Sequence, residues 1–143
     1  MGNKDLIIHS NLSLEEKTMA LLVCTAQEQT AKMLRNIKHM NLSLLQVQIL
    51  HVLSYADGGC LTVNQIKELM VDESPNVSRS LNKLMENEYI TKERTLEDQR
   101  VVHITITDAG RRAHEDADKE LMKVSLGLPK DACQRLYEIL SQI

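Results

Sequence analysis

The chain has 143 residues, enough for one compact unit, and its 17 basic and 20 acidic residues leave a net charge of −3. This charge excludes a uniformly basic nucleic-acid coat, and 43% hydrophobic with 26% charged residues excludes a disordered chain. Aromatic residues make up only 2% of the sequence, which argues against aromatic platforms that stack single-stranded bases.

The cysteines indicate a reducing compartment, and the apolar stretches argue against a membrane span. Cys24, Cys60 and Cys133 are far apart and odd in number, which does not fit a disulfide framework. We expect Cys24 to be a small buried side chain. The longest apolar stretches fall short of the roughly 18 residues that a membrane span needs. We therefore expect a soluble, cytoplasmic protein without membrane contact.

Two capping boxes open the predicted helices of the first third of the chain. Ser13 and Glu16 begin a helix of about 27 residues that runs to Met40 and is too long for one small domain to cover. Ser43 and Gln46 begin a second helix, which has apolar residues all around its axis and should be central and buried. The turn at 57–59 ends it.

The middle of the chain has the spacing of a helix-turn-helix. Thr62 and Gln65 form a third capping box on a short helix, and Ser74-Pro75 opens the next one, which runs to about Asn87. The link at 71–73 is short enough for a helix-turn-helix.

The period of the apolar pattern then changes from 3.6 to 2. Residues 89–94 and 101–106 predict two strands around the polar loop 95–100. A β-hairpin directly after a helix-turn-helix makes a winged helix. Thr107 caps a further helix with an alanine stripe at Ala109, Ala113 and Ala117, and Pro129 starts the last helix.

The second helix of the pair is the first candidate for DNA recognition. With Val77 at the centre of the buried face, its polar residues fall on the outward face. Arg and Asn suit guanine and adenine edges in the major groove, and the helix start can bind phosphate. The candidate residues on this helix are Ser74, Asn76, Ser78, Arg79, Asn82 and Lys83. The alternative is a solvated amphipathic helix, because Glu86 shares the face.

The hairpin loop is the second candidate. Arg94 and Arg100 flank it, and an arginine at a wing tip can enter the minor groove. Asp98 repels phosphate, so its useful role is to hold the guanidinium of Arg100. The alternative is an exposed ion pair in a turn, which contributes little.

The order of elements and three motifs resemble the MarR family of bacterial transcriptional regulators over nearly the whole chain. The motifs are residues 74–84, SPNVSRSLNKL; residues 98–102, DQRVV; and residues 104–110, ITITDAG. The resemblance implies a mainly α fold with a β-hairpin wing, and a homodimer held by the first and last helices. It also implies a wing pair of Asp98 and Arg100 and a pocket for a small-molecule effector. The family usually has Gly where this chain has Glu88, so Asn87 could take the left-handed position, or the helix could end differently.

We therefore expect one compact chain with a dimerisation region at 1–42, a winged helix-turn-helix at 43–106 and dimerisation helices at 107–143. The first long helix and the alanine-striped helix would supply the dimer. The expected function is a homodimeric, sequence-specific repressor that binds double-stranded DNA at an inverted-repeat operator and responds to a small molecule. The alternative is a winged-helix module that binds protein, because five basic and five acidic residues cancel between Ser74 and Arg100.

No feature of the sequence indicates an enzyme, a cofactor or a metal. No nucleophile–base pair or nucleotide-binding glycine loop is visible. The five histidines show no HxxxH or HExxH spacing, which favours surface or packing roles. They are His9, His39, His51, His103 and His114.

Overall fold

The computed structural model describes residues 4–70 and 76–143. Seven α-helices lie in the described residues: α1 Lys4–Ile8, α2 Leu14–Ile37, α3 Leu44–Tyr55, α4 Val63–Leu69, α5 Asn76–Glu86, α6 Asp108–Leu121 and α7 Lys130–Leu140. The strands are β1 Cys60–Thr62, β2 Ile90–Arg94 and β3 Val102–Ile106. Short 3₁₀ turns follow α2 and α3. Among the described residues, no helix is both long and apolar enough to cross a membrane.

The helix starts follow the predicted capping boxes. The Ser43 hydroxyl accepts from the Gln46 N–H at 3.1 Å, and Gln46 Oε1 accepts from the Ser43 N–H at 2.9 Å. The same reciprocal pair joins Thr62 to Gln65. Thr107 Oγ1 accepts from the Gly110 N–H at 3.0 Å at the start of α6. Each box satisfies donors that a helix start leaves unpaired, so these starts are encoded locally.

The sheet has one strand more than the predicted hairpin. β3 is central, with β2 antiparallel on one side and β1 antiparallel on the other, where Leu61 lies opposite Ile104. Residues 58–59 were read only as a turn, and the three residues after them are too few to show a period of two. The prediction of a two-stranded sheet was therefore incomplete. α1 was also missed.

The chain divides into two units, residues 36–121 and residues 1–35 with 122–143. The buried apolar residues all lie in the 36–121 unit, where Ile49, Leu50 and Leu53 of α3 are fully buried. The prediction of a central, buried second helix is confirmed. None of the described residues in the other unit is buried, and Cys24, which was expected to be buried, is half-exposed.

The alanine stripe of α6 is not a free surface. Ala113 is 8% exposed and Ala117 is fully buried, in a helix that packs against α3 of the same unit. The small side chains instead allow α6 to approach α3 within one chain, and a part for α6 in a dimer stays a prediction. Gly110 allows a similar approach, because a Cβ there would collide with the carbonyl oxygen of Tyr89.

The end of α5 uses Glu88 itself in the left-handed conformation, with φ at 61°. The Tyr89 N–H donates to the Leu84 carbonyl and the Glu88 N–H to the Met85 carbonyl, both at 3.0 Å, which is a Schellman motif. The Thr107 hydroxyl donates to the Glu88 carbonyl at 2.7 Å. Neither alternative, Asn87 in this position or a different helix end, is found, because these hydrogen bonds hold Glu88 there despite its side chain.

We predict that Glu88→Gly stabilises the protein by about 1 kcal/mol, because glycine removes the steric cost of a left-handed residue. The melting temperature should rise by about 3–5 °C in thermal denaturation. Glu88→Ala keeps the Cβ and removes only the carboxylate, so it should show no comparable gain. Equal gains in the two variants would place the effect in the charge and not in the backbone.

Candidate nucleic-acid interface

The two faces of α5 differ as the sequence predicts. Val77, Leu81 and Leu84 are buried, and α5 packs against α3 and β2. The polar candidates on this helix are all exposed: Asn76, Ser78, Arg79, Asn82 and Lys83. Ser74, with the predicted helix start at Ser74-Pro75 and the link at 71–73, lies outside the described residues. The packing of α5 thus presents one continuous polar face.

A groove of about 510 Å³ runs between α5 and the wing. Ser78 and Asn82 of α5 line it together with Arg100 from the wing loop. Asn64 of α4 and Lys92 of β2 also line this groove and were not singled out from the sequence. Lys92 lies two residues after the buried Ile90, and this period-2 relation places both on the same side of the strand. The two-residue spacing from Ile90 was therefore a signal in the sequence that could have placed Lys92 beside this groove.

A second groove of about 680 Å³ lies on the other side of α5, against the start of α3. Asn76, Arg79 and Lys83 line it, opposite Ser43 and Gln46 of the α3 capping box. Arg79 and Arg100 therefore lie in different grooves, and Asn82 borders both. The Lys83 ammonium lies 3.6 Å from the Glu86 carboxylate, and both side chains are exposed. This pair reduces the positive charge of the second groove.

The wing loop is held by its own hydrogen bonds. The Arg94 guanidinium donates to the Gln99 carbonyl at 3.0 Å, which closes the base of the loop. Thr95 Oγ1 donates to the Asp98 carbonyl at 3.1 Å and accepts from the Asp98 N–H at 3.2 Å. Arg94 and Asp98 are thus placed by contacts inside the wing and outside both grooves.

Asp98 contacts the backbone of Arg100 and not its side chain. Asp98 Oδ1 accepts from the Arg100 N–H at 2.9 Å. Within the described part of the chain, no ion pair joins Asp98 to the Arg100 guanidinium. The prediction that Asp98 holds the Arg100 guanidinium was therefore wrong, because Asp98 holds the Arg100 backbone N–H instead. A carboxylate two residues earlier in a turn reaches the backbone N–H more readily than the end of a long side chain.

Comparison with known proteins agrees with this architecture. The sequence model of a family described as transcriptional regulator SarA/Rot matches residues 32–117. Its span covers both helices of the pair, the wing and most of α6.

Solved structures of other proteins, one of them described as a MarR-like regulator, share the fold over most of their length. A MarR-like transcription regulator from Bacillus cereus is 16% identical, with 90% of this chain and 94% of that one covered and a TM-score of 0.80. BpsR of Bordetella bronchiseptica, whose DNA binding is regulated by 6-hydroxynicotinic acid, is 19% identical, with coverage of 93% and 96% and a TM-score of 0.74. Reduced AbfR bound to DNA is 21% identical, with coverage of 92% and 95% and a TM-score of 0.66.

Proposed function

The chain belongs to the SarA/Rot family of transcriptional regulators. We propose that it is a homodimeric repressor that binds double-stranded DNA at an inverted-repeat operator. The observation that carries the proposal is the exposed polar face of α5, bordered by a groove on each side. A helix of this kind fits the major groove, where base edges are distinguishable. The wing arginine suits the neighbouring minor groove.

The roles proposed for the individual residues follow from their placement. Arg79 and Asn82 would read base edges. Asn76, Ser78 and Lys83 would contact bases or phosphates beside them. The same role for Ser74 is proposed from the sequence alone, because Ser74 lies outside the described residues. Arg100 would enter the minor groove, while Arg94 and Asp98 would shape the wing that carries it. Asn64 and Lys92 join the set because they line the same groove as Ser78 and Arg100.

A second copy of the chain is the proposed cover for the terminal unit. The described residues of 1–35 and 122–143 include no buried residue. Large apolar side chains are exposed on its helices, among them Met19 at 61%, Ile139 at 60% and Leu140 at 46%. Exposed apolar surface of this kind indicates a protein–protein interface. Two recognition helices in such a dimer would read half-sites about 10 bp apart.

A small-molecule effector is the remaining part of the proposal. The DNA binding of BpsR, which shares this fold, is regulated by 6-hydroxynicotinic acid. We propose that a small molecule controls the DNA binding of this chain in the same way, and we assign no residues to its binding site.

The first prediction of this proposal concerns the oligomeric state. Sedimentation at micromolar concentration should give about twice the 16.2 kDa mass of one chain. Ile139→Asp places a charge on the exposed apolar face of α7 and should shift the protein towards the monomer. Leu96→Asp makes the same kind of change at a side chain that is 94% exposed in the wing loop, and should leave the dimer intact. A folded wild-type monomer would contradict the assembly.

The second prediction concerns base reading. Arg79→Ala should cost about 1–3 kcal/mol on the preferred site and reduce discrimination at one base position in each half-site. The preferred site is first selected from random duplexes, and affinity is then measured at fixed salt. Arg112→Ala removes the same charge from an exposed position on α6 and should keep the sequence preference. No selection of any sequence by the wild type would favour the protein-binding alternative.

The third prediction separates the charge of Asp98 from its hydrogen bond. Asp98→Asn keeps an oxygen that can accept from the Arg100 N–H and removes a charge that repels DNA, so it should bind DNA as well as the wild type or more tightly. Asp98→Ala removes the acceptor and should weaken binding. In the Arg100→Ala background the same Ala change should have little further effect, which a double-mutant cycle measures. Additive losses would show that Asp98 acts independently of Arg100.

A further inference from the structure

Three metal-binding side chains that are far apart in the sequence meet between α3 and α6. His51 Nδ1 of α3 lies 2.9 Å from His114 Nε2 of α6, and Asp118 Oδ2 lies 3.5 Å from the same nitrogen. One ligand atom from each residue lies within 4.8 Å of the other two. His114 and Asp118 are four residues apart, so a single helix face carries both.

Hydrogen bonds between the three side chains can use only one of the two contacts at His114 Nε2. His114 Nε2 faces both partners, yet a neutral ring nitrogen carries at most one proton. If that proton goes to Asp118, the 3.5 Å separation is longer than a good N–H···O hydrogen bond. If it goes to His51, the carboxylate receives nothing from the ring. A cation at the point where the three atoms converge would satisfy all of them together.

The cluster is closed on one side and open on the other. His114 is 6% exposed, and this burial lowers the pKa of its ring. The nearby Arg111 guanidinium is held by the Ser54 carbonyl at 3.2 Å. The Tyr55 ring covers His51, with centroids 4.9 Å apart. His51 is exposed and Asp118 half-exposed, so water and ions can reach the cluster.

We propose that His51, His114 and Asp118 form a binding site for one late first-row divalent cation such as Zn²⁺, with water completing the coordination. Imidazole and carboxylate are ligands that zinc accepts, at about 2.0–2.2 Å. Two ligands of a tetrahedral ion are then about 3.3 Å apart, close to the 2.9 and 3.5 Å that separate His114 Nε2 from its two partners. The third pair, His51 and Asp118, lies within 4.8 Å, so these two exposed or half-exposed side chains would move towards each other on binding. Binding at these two nitrogens requires each neutral ring to carry its single proton on its other nitrogen, so the ring that donates between them exchanges that proton through solvent.

The bound ion would connect α6 to α3, which in turn packs against α5. Local sequence spacing could not reveal this site, because two of its ligands are 63 residues apart. The expectation of packing or surface roles for these histidines rested only on HxxxH-type patterns.

The test uses the full-length dialysed protein and the ions themselves. Titration with Co²⁺, followed by its visible absorption bands, and displacement by Zn²⁺ should give one ion per chain. Added Zn²⁺ should also raise the melting temperature, since a ligand of the folded state stabilises it. His51→Ala and Asp118→Asn change exposed or half-exposed side chains, and each should weaken binding at least tenfold. Their circular dichroism spectra establish that they are folded.

Two control variants separate this site from other donors. His9→Ala removes an exposed histidine at the end of α1 and should bind as the wild type does. Cys60→Ser changes another pair of side chains that can bind zinc, in which Cys60 Sγ lies 4.0 Å from His103 Nδ1. This variant should also leave binding unchanged. Wild-type affinity in His51→Ala, or loss of binding in Cys60→Ser, would overturn the assignment.

Discussion

The burial of Val77, Leu81 and Leu84 decides which side of α5 meets solvent. These side chains pack in the unit whose centre is α3, where Ile49, Leu50 and Leu53 are fully buried. Once this stripe sets the rotation of α5 about its axis, residues at the opposite phase must face outward. The polar face and its two grooves therefore follow from the core, and the wing arginine adds to a surface that the core has already oriented.

Much of this architecture was predictable because its signals are local. Capping boxes at Ser43 and Thr62 join residues three apart, and the apolar stripe of α5 repeats within one helix. The exposure of Arg79 and Asn82 followed from the same stripe. Such features depend on neighbouring residues alone, so a single sequence is enough to read them.

The features that could not be predicted depend on contacts between distant residues or on competition between local partners. β1 is a strand because Leu61 pairs with Ile104. Glu88 accepts a left-handed backbone because the Thr107 hydroxyl, 19 residues later, binds its carbonyl. Asp98 could bind either the backbone N–H or the guanidinium of Arg100. Its short carboxylate side chain binds the backbone N–H, which is the nearer of the two. Residue type and spacing do not decide the first two cases, whereas at Asp98 the two-residue spacing of an Asx turn was a signal that the sequence contained.

The uneven distribution of buried residues separates folding from assembly. Ala113 and Ala117 of α6 are buried inside the 36–121 unit, where α6 packs against α3. The described residues of 1–35 and 122–143 include no buried side chain, and in the proposed dimer a second copy covers their apolar surface. In that proposal, the apolar residues that orient α5 and the apolar residues that join two copies form separate sets. Mutation of one set can change assembly while the exposed face of α5 stays in place.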